Sequence, residues 1–354
     1  MPAAPPWETE LANVDPEPDR PRAAVRVGDG ETMLAALDLG TNNCRLLVAR
    51  PNGDSFRVVD AFSRIVRLGE GVGACGSLSR AAMDRTIEAL RICAGKMRRH
   101  RVTHARSVAT EACRRAENCE DFLARVRRET GIEIEIISNH EEAALAFSGC
   151  APLLALQPAL ALVFDIGGGS TEVGCLQLST AAPPRLAAWH SIPVGVVTLA
   201  ERHGAGRISL EVYEAMVAET LGLLLAFEAA EGLGPAIAAG EVQMLGTSGT
   251  VTTLSGVHLE LPRYDRAQVD GSYLDFATIA RISADLAAMG WDERAAIPCI
   301  GRERADLVVA GCAILAAICR LWPVGRLRVA DRGVREGILF GLLAAAALPR
   351  AAAR

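Results

Sequence analysis

One pattern constrains this 354-residue chain more than any other: a strand, a tight loop and a second strand, occurring twice. In one copy the apolar run Ala159 to Phe164 ends at Asp165. Ile166 leads into Gly167, Gly168, Gly169, Ser170 and Thr171, and Glu172 to Leu178 leaves as an alternating run. The other copy runs from Leu34 to Val48. Asp38 ends the apolar strand, Gly40, Thr41, Asn42 and Asn43 form the loop, and an apolar strand returns. Subtracting residue numbers puts Asp38 and Asp165 127 positions apart, too far for a solenoid repeat and about right for a duplicated domain. Glycines let backbone N–H groups converge on an anion with no Cβ in the way. An aspartate closing the incoming strand is placed to hold a metal ion, or a water on one, beside that anion. A glycine-rich hairpin with an aspartate in its turn can be purely structural. Two copies instead predict two like domains with a phosphoryl group held between them.

Composition narrows the reading. The length suffices for two cores, and with half the residues hydrophobic but only 4% aromatic those cores are aliphatic. A formal charge of −5 argues against a general nucleic-acid binder. Lys96 is the single lysine, which excludes a Walker A lysine and speaks against Schiff-base chemistry. The ten cysteines contain no C-x-x-C pair and mostly sit in apolar runs, as reduced, buried small hydrophobes do in a cytoplasmic protein. Residues 1–30 read as a disordered tail; Met1 to Arg22 lacks the apolar stretch of a signal peptide. The longest apolar runs, Leu307 to Cys319 and Ile338 to Leu348, are too short to span a bilayer.

Along the chain, Ser55 to Phe62 reads as a third strand, and Ser63 to Val72 as either a functional loop or a solvated turn. Ser79 caps an amphipathic helix from Arg80 to about His100, whose basic end either steers polyanions or simply suits the helix dipole. Ala105 to Ala109 is a short strand, and Thr110 suits the cap of the next helix. Arg114, at that helix start, can reach the cleft and fork onto phosphate oxygens. After a strand at Ile132 to Ile137, Ser138 and Glu141 form a capping box. One acid already serves that cap, and Glu142 points about 100° away around the helix. Facing the cleft, it would accept a proton from water attacking phosphorus. Ala151 to Pro158 reads as a linker. Ser248, Gly249 and Thr250 sit between a strand and a helix N-terminus, a third set of N–H donors. Arg304 to Leu321 reads as helix, Leu327 to Ala330 as strand, and Asp331 to Gly337 opens the last helix.

Together these residues resemble the exopolyphosphatase and guanosine pentaphosphate phosphohydrolase (Ppx/GppA) family. The motifs are A-L-D-L-G-T-N-N, V-A-T-E-A-C-R-R-A-E-N, I-I-S-N-H-E-E-A, V-F-D-I-G-G-G-S-T-E, G-T-S-G-T and D-R-G-V-R-E-G-I-L, spread over Leu34 to Leu343. The resemblance implies an α/β protein of two RNase-H-like lobes, of the actin, Hsp70 and acetate kinase superfamily, with the active site in the cleft between them. Residues 31–145 with 333–349 would form the first domain and 146–332 the second. It implies Glu142 as the base that activates water, and Asp165 and Glu172 as the carboxylates that organise Mg²⁺ or another divalent ion. Asp38 with Gly40 to Asn43, Gly167 to Thr171, Ser248 to Thr250, and Arg114 become phosphate contacts. The chain resembles the short form, without the helical extension of longer relatives, and Arg332 stands where a small residue is more usual.

The resulting expectation is Mg²⁺-dependent removal of the terminal phosphate of polyphosphate. The rival within the same fold is the 5′-phosphate of guanosine pentaphosphate (pppGpp). An actin-like ATPase or kinase and a non-catalytic sensor of the same anions are alternatives from other classes. A homodimer is compatible with the family, but no residue here demands one.

Overall fold

The computed structural model describes residues 32–179, 184–204 and 206–347. The tail expected over 1–30, and the domain-end residues 31, 348 and 349, lie outside them.

Two sheets carry the chain. The first contains β1 (Leu34–Leu39), β2 (Asn43–Asn52), β3 (Ser55–Ile65), β4 (His104–Ala109) and β5 (Glu135–Ile136), in the order β3-β2-β1-β4-β5. The second contains β6 (Leu160–Ile166), β7 (Thr171–Gln177), β8 (Arg185–Ile192), β9 (Val242–Thr247), β10 (Tyr273–Asp275) and β11 (Arg326–Ala330), ordered β10-β11-β9-β6-β7-β8. In each, an antiparallel meander of three strands is followed by a strand that pairs parallel on the far side of the first (β1 with β4, β6 with β9). The second sheet adds β10 as an antiparallel edge. The two lobes therefore share one RNase-H-like strand topology, as the resemblance implies. β1 and β6 are apolar nearly throughout because each lies in mid-sheet and is covered on both faces. β3, at an edge, alternates.

The helices are α1 (Val72–Cys75), α2 (Arg80–Arg99), α3 (Glu111–Arg115), α4 (Cys119–Thr130), α5 (Asn139–Cys150), α6 (Val196–His203), α7 (Leu210–Glu231), α8 (Gly234–Ala238), α9 (Gly249–His258), α10 (Arg266–Val269), α11 (Phe276–Ala288), α12 (Trp291–Ala296), α13 (Val308–Leu321) and α14 (Val334–Ala347). Ser79 caps α2 through the Ala82 N–H, and Ser138 caps α5 through the Glu141 N–H. The capping box is only half formed. The Glu141 carboxylate goes to Arg106 at 2.5 Å, a charged partner that outcompetes a backbone donor. Thr110 makes no capping hydrogen bond. β5 is shorter than the strand read over Ile132 to Ile137, and α13 begins at Val308, which leaves Arg304 in the preceding turn.

α5 and α14 join the lobes. α5 follows the first sheet in sequence yet packs on β6, β7 and β8, whereas α14 follows the second sheet and packs on β1 to β4. A core shared by both lobes results, with Leu34, Ala36 and Val108 from one side, Val163 and Leu245 from the other, and Ala146, Phe147 and Ile338 between. The two helices touch backbone to backbone: a Cβ on Gly337 would lie 2.0 Å from the Leu145 carbonyl oxygen, and one on Gly149 2.2 Å from that of Gly333. The ten cysteines are unbridged and eight are buried. Among the described residues no helix is long and apolar enough to cross a membrane.

Candidate active site

The two hairpins end in the same turn. The Gly40 N–H donates to the Asn43 carbonyl and the Gly167 N–H to that of Ser170, each at 2.9 Å. Both loops, with the Ser248 to Thr250 turn, wall one cavity of about 130 Å³ between the lobes. They approach so closely that a Cβ on Gly168 would lie 3.0 Å from Thr41 Cβ, and one on Gly169 3.0 Å from Thr41 Oγ1. Only glycine allows that fit. The third loop adds the start of α9, where Ser248 caps Val251 N–H and the dipole is positive toward the cavity.

Besides Glu111, which pairs with Arg114, four carboxylates concentrate here. Asp38 and Asp165 are the penultimate residues of β1 and β6, and Glu142 projects from the first turn of α5; all three line the cavity. Glu172 stands opposite Asp165 in the β6–β7 pairing but is buried behind the wall, where it accepts a hydrogen bond from Ser191 at 2.8 Å. Burial raises all four pKa values. Glu142 is pushed up to about 8, burial acting first and Glu172 second. Asp165 and Glu172 rise to about 7 through burial, then through repulsion by Glu142 and by Asp165 respectively. Asp38 is raised by burial against the pull of Arg45 and Arg335. Such crowding of buried acid, only partly balanced by Arg114 and Arg45, beside N–H donors suits a cation shared with an anionic ligand.

Most residues singled out from the sequence meet at this cavity: Asp38, Gly40 to Asn43, Glu142, Asp165, Gly167 to Ser170 and Ser248 to Thr250. Three do not line it. Thr171 is fully buried, its hydroxyl donating to the Val194 carbonyl at 2.7 Å. Glu172 lies behind the wall, as described. Arg114 does not extend into the cavity toward an anion, because its donors are already occupied. Nη2 bonds Glu142 at 2.8 Å and Glu111 at 3.0 Å, while Nη1 donates to the Ile137 carbonyl at 2.7 Å. It orients Glu142.

Sequence reasoning overlooked Arg45, Glu111 and Arg304, all on the wall. A signal for Arg45 was present. It faces Asp38 across β1–β2 just as Glu172 faces Asp165 across β6–β7, seven positions on in both copies. Arg304 gave none, since it lies in an irregular turn. Arg45 and Arg304 also border an adjoining chamber of about 280 Å³ with Arg335 and Tyr264. Burial and Arg45 together lower the pKa of Arg304, so these guanidiniums crowd one another.

Comparison with known proteins identifies the family. The Ppx/GppA phosphatase family pattern matches residues 47–346. Exopolyphosphatase 2 of Mycobacterium tuberculosis is 31% identical over 330 residues, 88% of this chain and 98% of that protein. The guanosine-5′-triphosphate,3′-diphosphate pyrophosphatase of Aeromonas hydrophila is 30% identical over 312 residues, 88% of this chain but 59% of its own length. An exopolyphosphatase structure from Cytophaga hutchinsonii superposes with TM-score 0.79 at 25% identity, over 89% of this chain and 98% of that one. A Ppx/GppA family member from Aquifex aeolicus gives 0.72 at 25% identity, covering 90% and 100%. With this fold, this cleft and this extent of match, the chain belongs to the Ppx/GppA phosphatase family, hydrolases that act on phosphoanhydrides.

Proposed function

We propose that the protein removes the terminal phosphate of inorganic polyphosphate by direct attack of water. The observation that carries this reading is the convergence of three donor loops and one orientable carboxylate, Glu142, on a single narrow cavity. Backbone N–H groups of the Gly40 and Gly167 loops, with the start of α9, neutralise the equatorial oxygens of the terminal phosphoryl group. Arg45 and Arg304 hold the next phosphates. Glu142, steered by Arg114, accepts the proton of the attacking water. The water oxygen bonds to phosphorus, the bridging P–O bond breaks, and orthophosphate and a chain one unit shorter leave.

The donor set fits Mg²⁺. Among the described residues no three metal-ligating side chains form a closed cage. Mg²⁺ does not require one, being commonly held by one or two carboxylates plus substrate phosphates and waters. Asp165 on the wall would hold it, with Asp38 beside it on the wall and Glu172 behind; burial raises all three carboxyls, and a bound cation would favour their charged forms. When bound, the ion supplies charge neutralisation for the phosphates.

A second reading is hydrolysis of the 5′-phosphate of pppGpp. It is supported by the Aeromonas relative's name and by the adjoining chamber, which offers Tyr264 beside the arginines. Steady-state kcat/KM on the two purified substrates decides between them, with Glu142→Gln as the blank. That variant is expected to lose about 10²- to 10⁴-fold in kcat while still binding. Phosphate release surviving in Glu142→Gln would overturn the general-base assignment.

A further inference from the structure

Residues 66–71, between β3 and α1, connect to both lobes. On the first lobe they are part of the phosphate loop's own support. The N–H groups of Val66 and Arg67 both donate to the Asn42 carbonyl, at 2.8 and 3.0 Å, and that of Gly69 donates to Thr41 at 2.9 Å. Arg85 of α2 fixes the segment from behind, bonding the carbonyls of Val66 and Arg67 and pairing with Glu70 at 2.8 Å. Arg67 adopts φ +48°, the left-handed region that a non-glycine residue occupies only when its surroundings hold it there.

That conformation accompanies two contacts across the cleft. Arg67 Nη2 pairs with Asp306 at 2.9 Å and lies 3.4 Å from the Glu303 carbonyl, on either side of Arg304 in sequence. Gly71 N–H donates to Glu201 of α6 at 3.1 Å. α6 is in turn bound to the glycine loop: Val196 and Val197 donate to the carbonyls of Gly167 and Gly168 at 3.0 and 2.8 Å. A branching chain of hydrogen bonds thus runs from the Thr41–Asn42 loop through residues 66–71, one arm reaching Asp306 and Glu303 beside Arg304 and the other reaching Glu201 of α6 and, through that helix, the Gly167–Gly168 loop.

We infer that residues 66–71 form a clasp that holds the two phosphate loops in register across the cleft, with Arg67 as its positioning residue. Neither Arg67 nor Asp306 lines the cavity. The clasp acts through the loops it joins, keeping the lobes closed enough for both sets of N–H donors to reach one phosphoryl group. The inference rests on phosphoanhydride hydrolysis by this cleft and not on which substrate supplies the bond.

Arg67→Gly keeps the backbone conformation, since glycine accepts a positive φ, and removes only the contact; Asp306→Asn weakens the same contact from the other lobe. Either change is expected to raise KM about fivefold with kcat altered by less than about twofold, and the double variant to be no worse than the stronger single one. The Arg67 side chain is 36% exposed, so the gap from wild type is expected to narrow as salt rises. Small-angle X-ray scattering of the substrate-free full chain is expected to show a larger radius of gyration in both variants. Unchanged KM and scattering, a fall in kcat at constant KM, or additive effects in the double variant would each overturn the clasp. A wild-type enzyme inactive on polyphosphate would remove only that substrate assignment; KM is then read on whichever phosphoanhydride it cleaves, and the scattering comparison still decides the clasp.

Discussion

The crossing of α5 and α14 makes a prediction about catalysis from a residue that touches no ligand. Gly337 on α14 presents its Cα to the α5 backbone. A Cβ there would sit 2.0 Å from Leu145 O, 2.7 Å from Leu145 C and 2.9 Å from Leu145 Cα. None of these atoms can rotate away. Relieving the overlap to an ordinary contact, which begins at 3.4 Å, means separating the helices by more than about 1 Å. Leu145 is one turn beyond Glu142 on the same helix, and α14 also packs on β1, which carries Asp38 as its penultimate residue. Gly337→Ala is therefore expected to cost about 1–3 kcal/mol of stability and, by displacing Glu142 about 1 Å, on the order of 10²-fold in kcat. Thermal melting and steady-state kinetics on the folded variant measure the two effects. Gly341→Ala is the control, one turn further along α14 with nothing within 4 Å of its Cβ; there alanine is expected to leave kcat unchanged and to add up to about 1 kcal/mol. A folded Gly337→Ala enzyme with kcat within about twofold of wild type would refute the reasoning.

Other predictions follow from the same geometry. Arg114→Ala is expected to lower kcat by about tenfold or more with little change in KM, because its guanidinium serves Glu142; a KM effect alone would mean that it binds phosphate. Arg45→Ala and Arg304→Ala should do the reverse, raising KM and flattening its salt dependence in titrations from low to high ionic strength. The raised carboxyls set a pH dependence. A folded state that favours the protonated acid is relatively stabilised at low pH and loses that contribution as pH rises from the ordinary carboxylate range of about 4.5 toward about 8. Melting in a chelator is expected to decline over that window and to recover with excess Mg²⁺. No recovery would argue against a cation among these acids. Asp60 runs the other way. Its carboxyl is held below the usual range by Lys96 and then His100, so its contribution is present above the unfolded pKa and is lost as pH falls through the folded one, which Asp60→Asn melts against pH would report.

Much of this architecture was legible in the sequence because it is local. The Asp-apolar-Gly turns, the Ser79 and Ser138 caps and the apolar runs of β1 and β6 are decided by neighbours in the chain. What escaped depends on contacts between distant residues. Arg114 looks like a free cation until Ile137 and Glu142 are brought to it, and Thr171 looks like part of an anion loop until Val194 claims its hydroxyl. Ser63 to Val72 stayed undecided between loop and turn because its partners, Asp306 and Glu201, lie in the other lobe. Arg304 was absorbed into a helix that in fact starts at Val308.

The matched positions across from Asp38 and Asp165 carry opposite charges. One hairpin sets Arg45 against its aspartate and the other sets Glu172, so a scaffold that is nearly twofold in backbone has an electrical polarity. A linear polyanion meeting that asymmetry has a preferred direction. If the cleft takes polyphosphate as proposed, its tail would be drawn toward the arginine-bearing half and its end group would meet the acids and the cation they hold, a single direction for removal of terminal units.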